Sequence, residues 1–496
     1  MTSRAHAARE TAATAAGAAA PAGRPSPSDL LARLRSGHGD GARRALATAD
    51  PAARAEVIAA LDSCVLRDPR AVPATESRSL YYARLYDRLG AGLDALAAHL
   101  ICDEDWTDED ADRTALPLAV LGTLARAGRS DAVALLRRYA AEGRDWTLAV
   151  EHLARAADPA ALSGMLALAL ERGEDDELYD CVRQGTGMRP WRVWGFQDAR
   201  MRAIVEQVDL DWWRWELARG KSAAGQDTAP ADGPQVPPRM QPTVDQVLSE
   251  AAASPRRSFV CGRRLASVAT AEHRALILAA AWSGAAGARV AALRYLGDLG
   301  DPALLDLAEN ALGDESPAVV RQAAVQAVGG LRTREAVGRA RDWLGAGKDG
   351  ALGDVAVRIL AGAGGPADGP VLIAALQRCR HDHRGDRRFA LGDLVDGVGR
   401  LGLVDAVEPV RDVYLGSPCA GLRSRAVDTL ARIEPAFGGT TAVECLWDCE
   451  AGTRRIAVDR ADLAVDGVLE RFRELARDPS EDEGVRSAAR RRLAAL

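Results

Sequence analysis

The chain has 496 residues, 48% of them hydrophobic but only 4% aromatic, with 27% charged residues and a formal charge of -6 at pH 7. That balance supports a packed core of small aliphatic side chains and lacks the basic excess by which nucleic-acid-binding domains are recognised. The longest uncharged apolar stretch, Ala275 to Ala288, is 14 residues; crossing a bilayer takes roughly 20, so no membrane helix is expected.

Residues 1–27 are rich in Ala, Thr, Gly and Pro without the apolar h-region of a secretory signal, and read as a disordered tail. Residues 28–218 carry apolar side chains at i, i+3, i+4 and i+7 with almost no alternating β-branched runs, which predicts helix pairs in a first, solenoid-like segment. An acceptor side chain followed by proline recurs at Asp50-Pro51, Asp158-Pro159, Asp301-Pro302, Ser316-Pro317, Ser417-Pro418 and Asp478-Pro479. Each predicts a helix start, with the acceptor as N-cap and proline where its missing N–H costs nothing. The seven carboxylates between Asp103 and Asp112 lack the glycine and terminal glutamate of a calcium loop and read as a solvated connection. Five of the ten tryptophans then gather as Trp191, Trp194, Trp212, Trp213 and Trp215, beside Asp209 and Asp211.

From 219 to 242 five prolines (Pro230, Pro234, Pro237, Pro238 and Pro242) interrupt a stretch without apolar periodicity, predicting an exposed linker. Thr243-Val-Asp-Gln246 is a capping box that opens the helical segment 243–496. There the pattern repeats. A late aliphatic in every second helix gives the anchors Leu296, Val328, Leu360, Val398, Leu430, Leu463 and Leu493, spaced by 32, 32, 38, 32, 33 and 30 residues. One turn earlier stands Ala292, Ala324, Ala356, Ala426 or Ala489, and seven residues earlier Arg289, Arg321, Arg423 or Arg486. A short side chain at a tight contact and a long cation near the helix start suit stacked helix pairs.

The run Ser316-Pro-Ala-Val-Val-Arg-Gln-Ala-Ala-Val-Gln-Ala-Val-Gly329, echoed by Arg289 to Leu296 and Val485 to Leu493, resembles a HEAT repeat of the short, phycobilisome-lyase-like kind. Its period is shorter than the usual 40 to 47 residues of that family. The resemblance runs from about Gly287 to Leu496 and implies an all-α fold: an α-solenoid of stacked helical hairpins. HEAT proteins line the concave side with their second helices. The position two before each anchor (Arg294, Gln326, Arg358, Asp396, Asp428, Ala461 and Arg491) would then form a ladder changing from basic or neutral to acidic along the curve, as a groove for a charged peptide or helix would.

Catalytic signatures are scarce. Gly220-Lys221-Ser222 has Trp215 where a P-loop needs glycine, and Gly362-Ala-Gly364 follows a helix instead of a strand. Cys379, His381 and His383 are zinc-ligand types, but alternate residues of an extended segment close poorly on one tetrahedral ion. Cys445 and Cys449, one turn apart, read as core filling. His99 and His152 read as structural. The expectation is therefore a cytoplasmic, non-catalytic scaffold or adaptor that binds another protein or peptide, without nucleic acid, membrane, metal or cofactor. Its binding residues would be the ladder positions Arg294, Gln326, Arg358, Asp396, Asp428 and Arg491, together with Trp191, Trp194, Trp212, Trp213 and Trp215. The alternative is an enzyme on the same fold. The tryptophan cluster would then serve as the base pocket of an alkylpurine-DNA-glycosylase-like protein, or the repeats as a chromophore-lyase-like subunit.

Overall fold

The computed structural model describes residues 27–68, 76, 78–107, 113–184, 190–208, 242–313, 315–348, 350–380 and 387–496, and the regular structure among them is helical throughout. The first stretch holds α1 (Pro27–Arg35), α2 (Gly39–Leu46), α3 (Pro51–Leu66), α4 (Ser79–Leu89), α5 (Asp94–Leu100), α6 (Glu104–Thr107), α7 (Ala115–Arg126), α8 (Ser130–Glu142), α9 (Trp146–Leu153), α10 (Met165–Arg172), α11 (Asp175–Gln184), α12 (Trp191–Trp194) and α13 (Ala199–Val208). The second runs in pairs: α14 (Val244–Ala253) with α15 (Ser258–Val268), α16 (Arg274–Ser283) with α17 (Ala286–Leu299), α18 (Leu304–Ala311) with α19 (Ala318–Gly329), and α20 (Arg334–Gly345) with α21 (Gly350–Ala363). It continues with α22 (Gly369–Cys379) and α23 (Arg387–Arg400), α24 (Val407–Gly416) and α25 (Ala420–Ile433), α26 (Thr441–Cys445) and α27 (Ala451–Arg460), and α28 (Val468–Arg477) and α29 (Glu483–Ala494). The tail 1–26 and most of the proline-rich stretch, to residue 241, lie outside the described residues.

The capping box forms as expected: Gln246 N–H donates to Thr243 Oγ1 at 3.3 Å, and Thr243 N–H to Gln246 Oε1 at 2.9 Å. Of the acceptor–proline pairs, only Asp50-Pro51 opens an α-helix directly, its carboxylate accepting from Ala53 N–H at 3.0 Å. Asp158-Pro159 opens a 3₁₀ turn, and the other four stand in turns just before the helix. At Asp301 and Asp478 the side chain accepts from the residue two further on, at 2.9 and 2.8 Å. An Asx turn satisfies the acceptor locally and so competes with the helix for it.

Every second helix packs on the second helix of the next pair, from α15 against α17 through to α27 against α29. The anchors Leu296, Val328, Leu360, Val398 and Leu430 are buried, as are the alanines one turn earlier at 292, 324, 356, 426 and 489. The closest approach is elsewhere, at small residues beside the anchor: a Cβ on Gly297 would fall 2.8 Å from Ala327 Cβ, and one on Gly397 2.7 Å from Ala361 Cα. Since a backbone atom cannot step aside, Gly397→Ala is expected to lower stability by about 2 kcal/mol. Gly338→Ala, in a helix interior with nothing within 4 Å, is expected to raise it by about 0.5–1 kcal/mol. Urea melts of the two variants showing equal and small effects would remove the close contact as an element of the stack.

The arginine seven before the anchor ties down the turn inside its own pair. Arg289 donates to Ala281 O (3.2 Å), Arg423 to Ser417 O and Pro418 O (3.2 and 3.3 Å), and Arg486 to Pro479 O (2.7 Å), while Arg321 reaches Ser316 O. Carbonyls at helix ends lack intrahelical partners, and a planar fork can hold two of them where an ammonium offers a single centre. Arg454 does the same for Asp448 O and Cys449 O at 2.7 and 2.8 Å. That corrects the register of this pair. With Arg454 and Ala457 in the repeated places, the anchor is Ala461, 1% exposed, and Leu463 lies half-buried beyond the helix end. Alanine at the anchor weakens the apolar signal, so the leucine two residues later misleads the eye, and the ladder position of this pair is the exposed Asp459 in place of Ala461.

Helical periodicity does not foreshadow the docking of α1–α4 onto the last pairs. Cys449 N–H donates to Gly37 O at 3.0 Å, His38 Nε2 meets Tyr414 O at 3.2 Å, and Arg78 Nη2 donates to Pro418 O at 3.0 Å. Arg84 bridges Asp478 (2.6 Å) and Glu481 (2.9 Å), and Arg88 pairs with Glu474 at 2.6 Å. A Cβ on Gly39 would lie 2.1 Å from Glu444 O, so the two stretches touch backbone to backbone. Behind the seam Arg454 and Glu481 form a buried bidentate pair at 2.6 and 2.9 Å, and Arg423 faces Asp448 at 3.5 Å with neither side chain exposed.

Candidate functional site: the second-helix face

Successive second helices present a continuous row of polar side chains. Gln326 on α19 accepts from Arg358 Nη2 on α21 at 3.2 Å, and Arg358 Nε lies 2.5 Å from Asp393 Oδ2 on α23. Arg425 on α25 reaches back to the other oxygen of Asp393 at 3.0 Å and to Asp396 at 2.6 Å. Asp428 pairs within its own helix with Arg432 at 2.5 Å. The ladder positions Gln326, Arg358 and Asp396 therefore form, with Asp393 and Arg425, a hydrogen-bonded and ion-paired row spanning four helices, and Asp428 stands apart from it on Arg432. Arg491 stands exposed on α29, and Arg294 on α17 lies 3.5 Å over the ring of Phe259.

Asp393 and Arg425, the central links, escape a reading confined to the position two before the anchor. Both sit five before it, where the other pairs carry Ala291, Ala323, Val355, Ile456 and Ala488. A charge intruding on an otherwise apolar register was the available signal. Asp393, Asp396, Arg425, Asp428 and Arg432 wall an open groove of about 650 Å³ that Arg332, Arg400 and Arg455 also line. Arg400 is spent on the carbonyls of Leu360, Ala361 and Gly364 at 2.9–3.2 Å, and Arg332 on Gly329 O at 2.8 Å. Burial, with Arg358 and Arg400 close by, lowers the pKa of Arg332.

The tryptophan cluster divides. Trp191 and Trp194 are 1% and 5% exposed, and Trp191 meets Trp194 and Trp146 edge-to-face at 5.3 and 6.0 Å. Trp191 Nε1 donates to Glu151 at 3.1 Å. These two rings are core, which corrects the expectation of a partner-binding surface there: bulky aromatics fill a gap between short helices and show no face on which a partner or flipped base could stack. Trp212, Trp213 and Trp215, with Asp209 and Asp211, lie outside the described residues.

His381 and His383 also lie outside them, and among the described residues no group of three His, Cys, Asp or Glu is placed to hold a metal. Cys445 and Cys449 are buried, and burial and the neighbouring Asp448 push the Cys449 thiol up to about 12. His152 packs its ring on Gly122, where a Cβ would fall 2.4 Å from Nδ1. The acidic run is not wholly solvated: Asp105 is 1% exposed and accepts from Tyr139 Oη (3.0 Å), Arg144 N–H (2.8 Å) and Arg113 (3.2 Å). No helix among the described residues is long and apolar enough to cross a membrane. No known family model matches the chain, and no curated protein matches its sequence.

Proposed function

We infer that the chain is a non-catalytic scaffold that binds another protein or peptide, and that its second stretch is a HEAT-like α-solenoid with the second helices on the concave side. One observation carries this reading: the second helices of successive pairs pack on one another without interruption and present a row of polar groups, Gln326–Arg358–Asp393–Arg425–Asp396, whose Asp393, Arg425 and Asp396 line an open groove. Stacked pairs create an extended surface of this kind from local contacts alone. The docked α1–α4 buttress the far end of the stack through Arg84 and Arg88, which holds the groove's shape before a partner arrives and lowers the ordering cost of binding. The eight cysteines are free thiols, in keeping with a reducing, cytoplasmic setting.

Affinity capture with the intact chain tests the reading, run beside Arg294→Glu/Arg491→Glu and Asp396→Lys/Asp428→Lys double variants. At least one reversal is expected to weaken retention of a specific partner about tenfold. If every captured partner were indifferent to both, the second-helix row would not be the binding surface.

A further inference from the structure

We propose that the docking site proper lies at the start of the stack, across α15, α17 and α19, and that its occupant is an amphipathic α-helix with an acidic flank. This rests on the scaffold reading and names its partner class. The start of the second-helix face differs from its middle in one respect. In the middle Arg358, Arg425 and Arg432 each hold a carboxylate within 3.0 Å. At the start, Arg294 and Arg263 bracket Phe259 at 3.5 and 5.2 Å from its ring centroid, and among the described residues neither is paired with a carboxylate. Arg294 Nε is buried without a hydrogen-bond partner. Asp298, one turn along α17, does not pair with it. The cations here are held in place by the aromatic ring and left with unused donors.

The same place is the apolar part of the face. Phe259 and Val319 are 49% and 51% exposed on the two sides of a groove of about 670 Å³, whose floor includes Val290, Ala323 and Ala327. Gly297 and Ala327, where α17 and α19 approach so closely that a Cβ on Gly297 would lie 2.8 Å from Ala327 Cβ, both line it. A pocket of this volume takes a few large side chains. One consideration favours a helix over an extended strand as the occupant. An extended peptide needs partners for its backbone, and helix surfaces offer no free ladder. A helix satisfies its own backbone and needs only apolar anchors at i, i+4 and i+7, with carboxylates on its flank for Arg294 and Arg263.

The probe is a fluorescein-labelled, hydrocarbon-stapled 16-residue helix with Leu at the anchors and Glu on the flanks, titrated by anisotropy with the intact chain. Its controls are the same helix with Lys for Glu, and polyglutamate as competitor. The acidic helix is expected to bind at least about tenfold more tightly than the basic one. Arg294→Glu and Phe259→Ala, both outside the ion-paired row, should each weaken it about tenfold with an unchanged thermal melt. No binding of the acidic helix, equal binding of the two helices, or full displacement by polyglutamate would overturn the proposal. So would binding that ignores Arg294→Glu but is lost in Asp396→Lys/Asp428→Lys, an outcome that leaves the scaffold reading standing and moves the site to the middle of the row.

Discussion

Replacing Arg423 with alanine is expected to cost about 3–5 kcal/mol and to loosen the first stretch from the last pairs. The guanidinium is wholly buried, holds the Ser417 and Pro418 carbonyls, and faces Asp448 and the Cys449 sulfur. Its removal leaves a buried carboxylate without its cation and the Ser417 carbonyl without a donor, each a larger penalty than the interaction lost. The damage extends beyond α25, because Cys449 N–H holds Gly37 O and Arg78 shares the Pro418 carbonyl. Urea unfolding should show a lowered first transition, and limited proteolysis should release a fragment ending near the proline-rich stretch. Adding Asp448→Ala to the variant should recover part of the loss, since no uncompensated charge then remains. A midpoint unchanged in the single variant would mean that the buried pair does not hold the seam.

Acidification from pH 6.5 towards 4 is expected to weaken the same seam by on the order of 3 kcal/mol through His38. Burial, with Arg423 and Arg33 adding their repulsion, lowers the pKa of His38 to about 4. Its Nε2 donates to Tyr414 O, and Nδ1 is buried without a partner, so a second ring proton would be a donor with no acceptor. The unfolded imidazole takes a proton below about 6.5 and the folded one only near 4; stability is therefore complete above this window and is lost as the pH falls through it. Glu444 acts in the opposite sense: burial and Asp40 raise its pKa, so the folded chain gains its proton first. Glu481 stays ionised until about pH 2, because Arg454 and Arg84 outweigh its burial. His152, also near 4 through burial and Arg155, adds a slope of the same sign within the first stretch. The informative quantity is thus the difference between the parent and His38→Gln across the window, and superimposable profiles would exclude His38 as the titrating group.

The helical class and the repeated alanines are legible in the residues because both depend on neighbours a turn apart. Arg289, Arg321, Arg423 and Arg486 also stand out by spacing, yet their task, clamping the carbonyls at the turn of their pairs, depends on where the chain folds back in space. Ala461 shows where periodicity fails: an anchor reduced to alanine carries too little apolar contrast, and Leu463 takes its place in the pattern. Asp393 and Arg425 were visible only as charges at an otherwise apolar register. The contacts of Gly37, His38 and Arg78 with residues beyond 410 leave no periodic trace at all, since a backbone-to-backbone approach asks for glycine and a buried ion network asks for complementary partners far away in the chain.

That distance sets a waiting time during synthesis. His38 meets Tyr414 across 376 residues, and at roughly 5–20 residues per second the ribosome delivers the second about 20–75 s after the first. Over that interval the surface of α1–α4 around His38, Arg78 and Tyr81 has no cover of its own. A nascent chain stalled between α13 and α24 should accordingly be a better chaperone client than the finished protein.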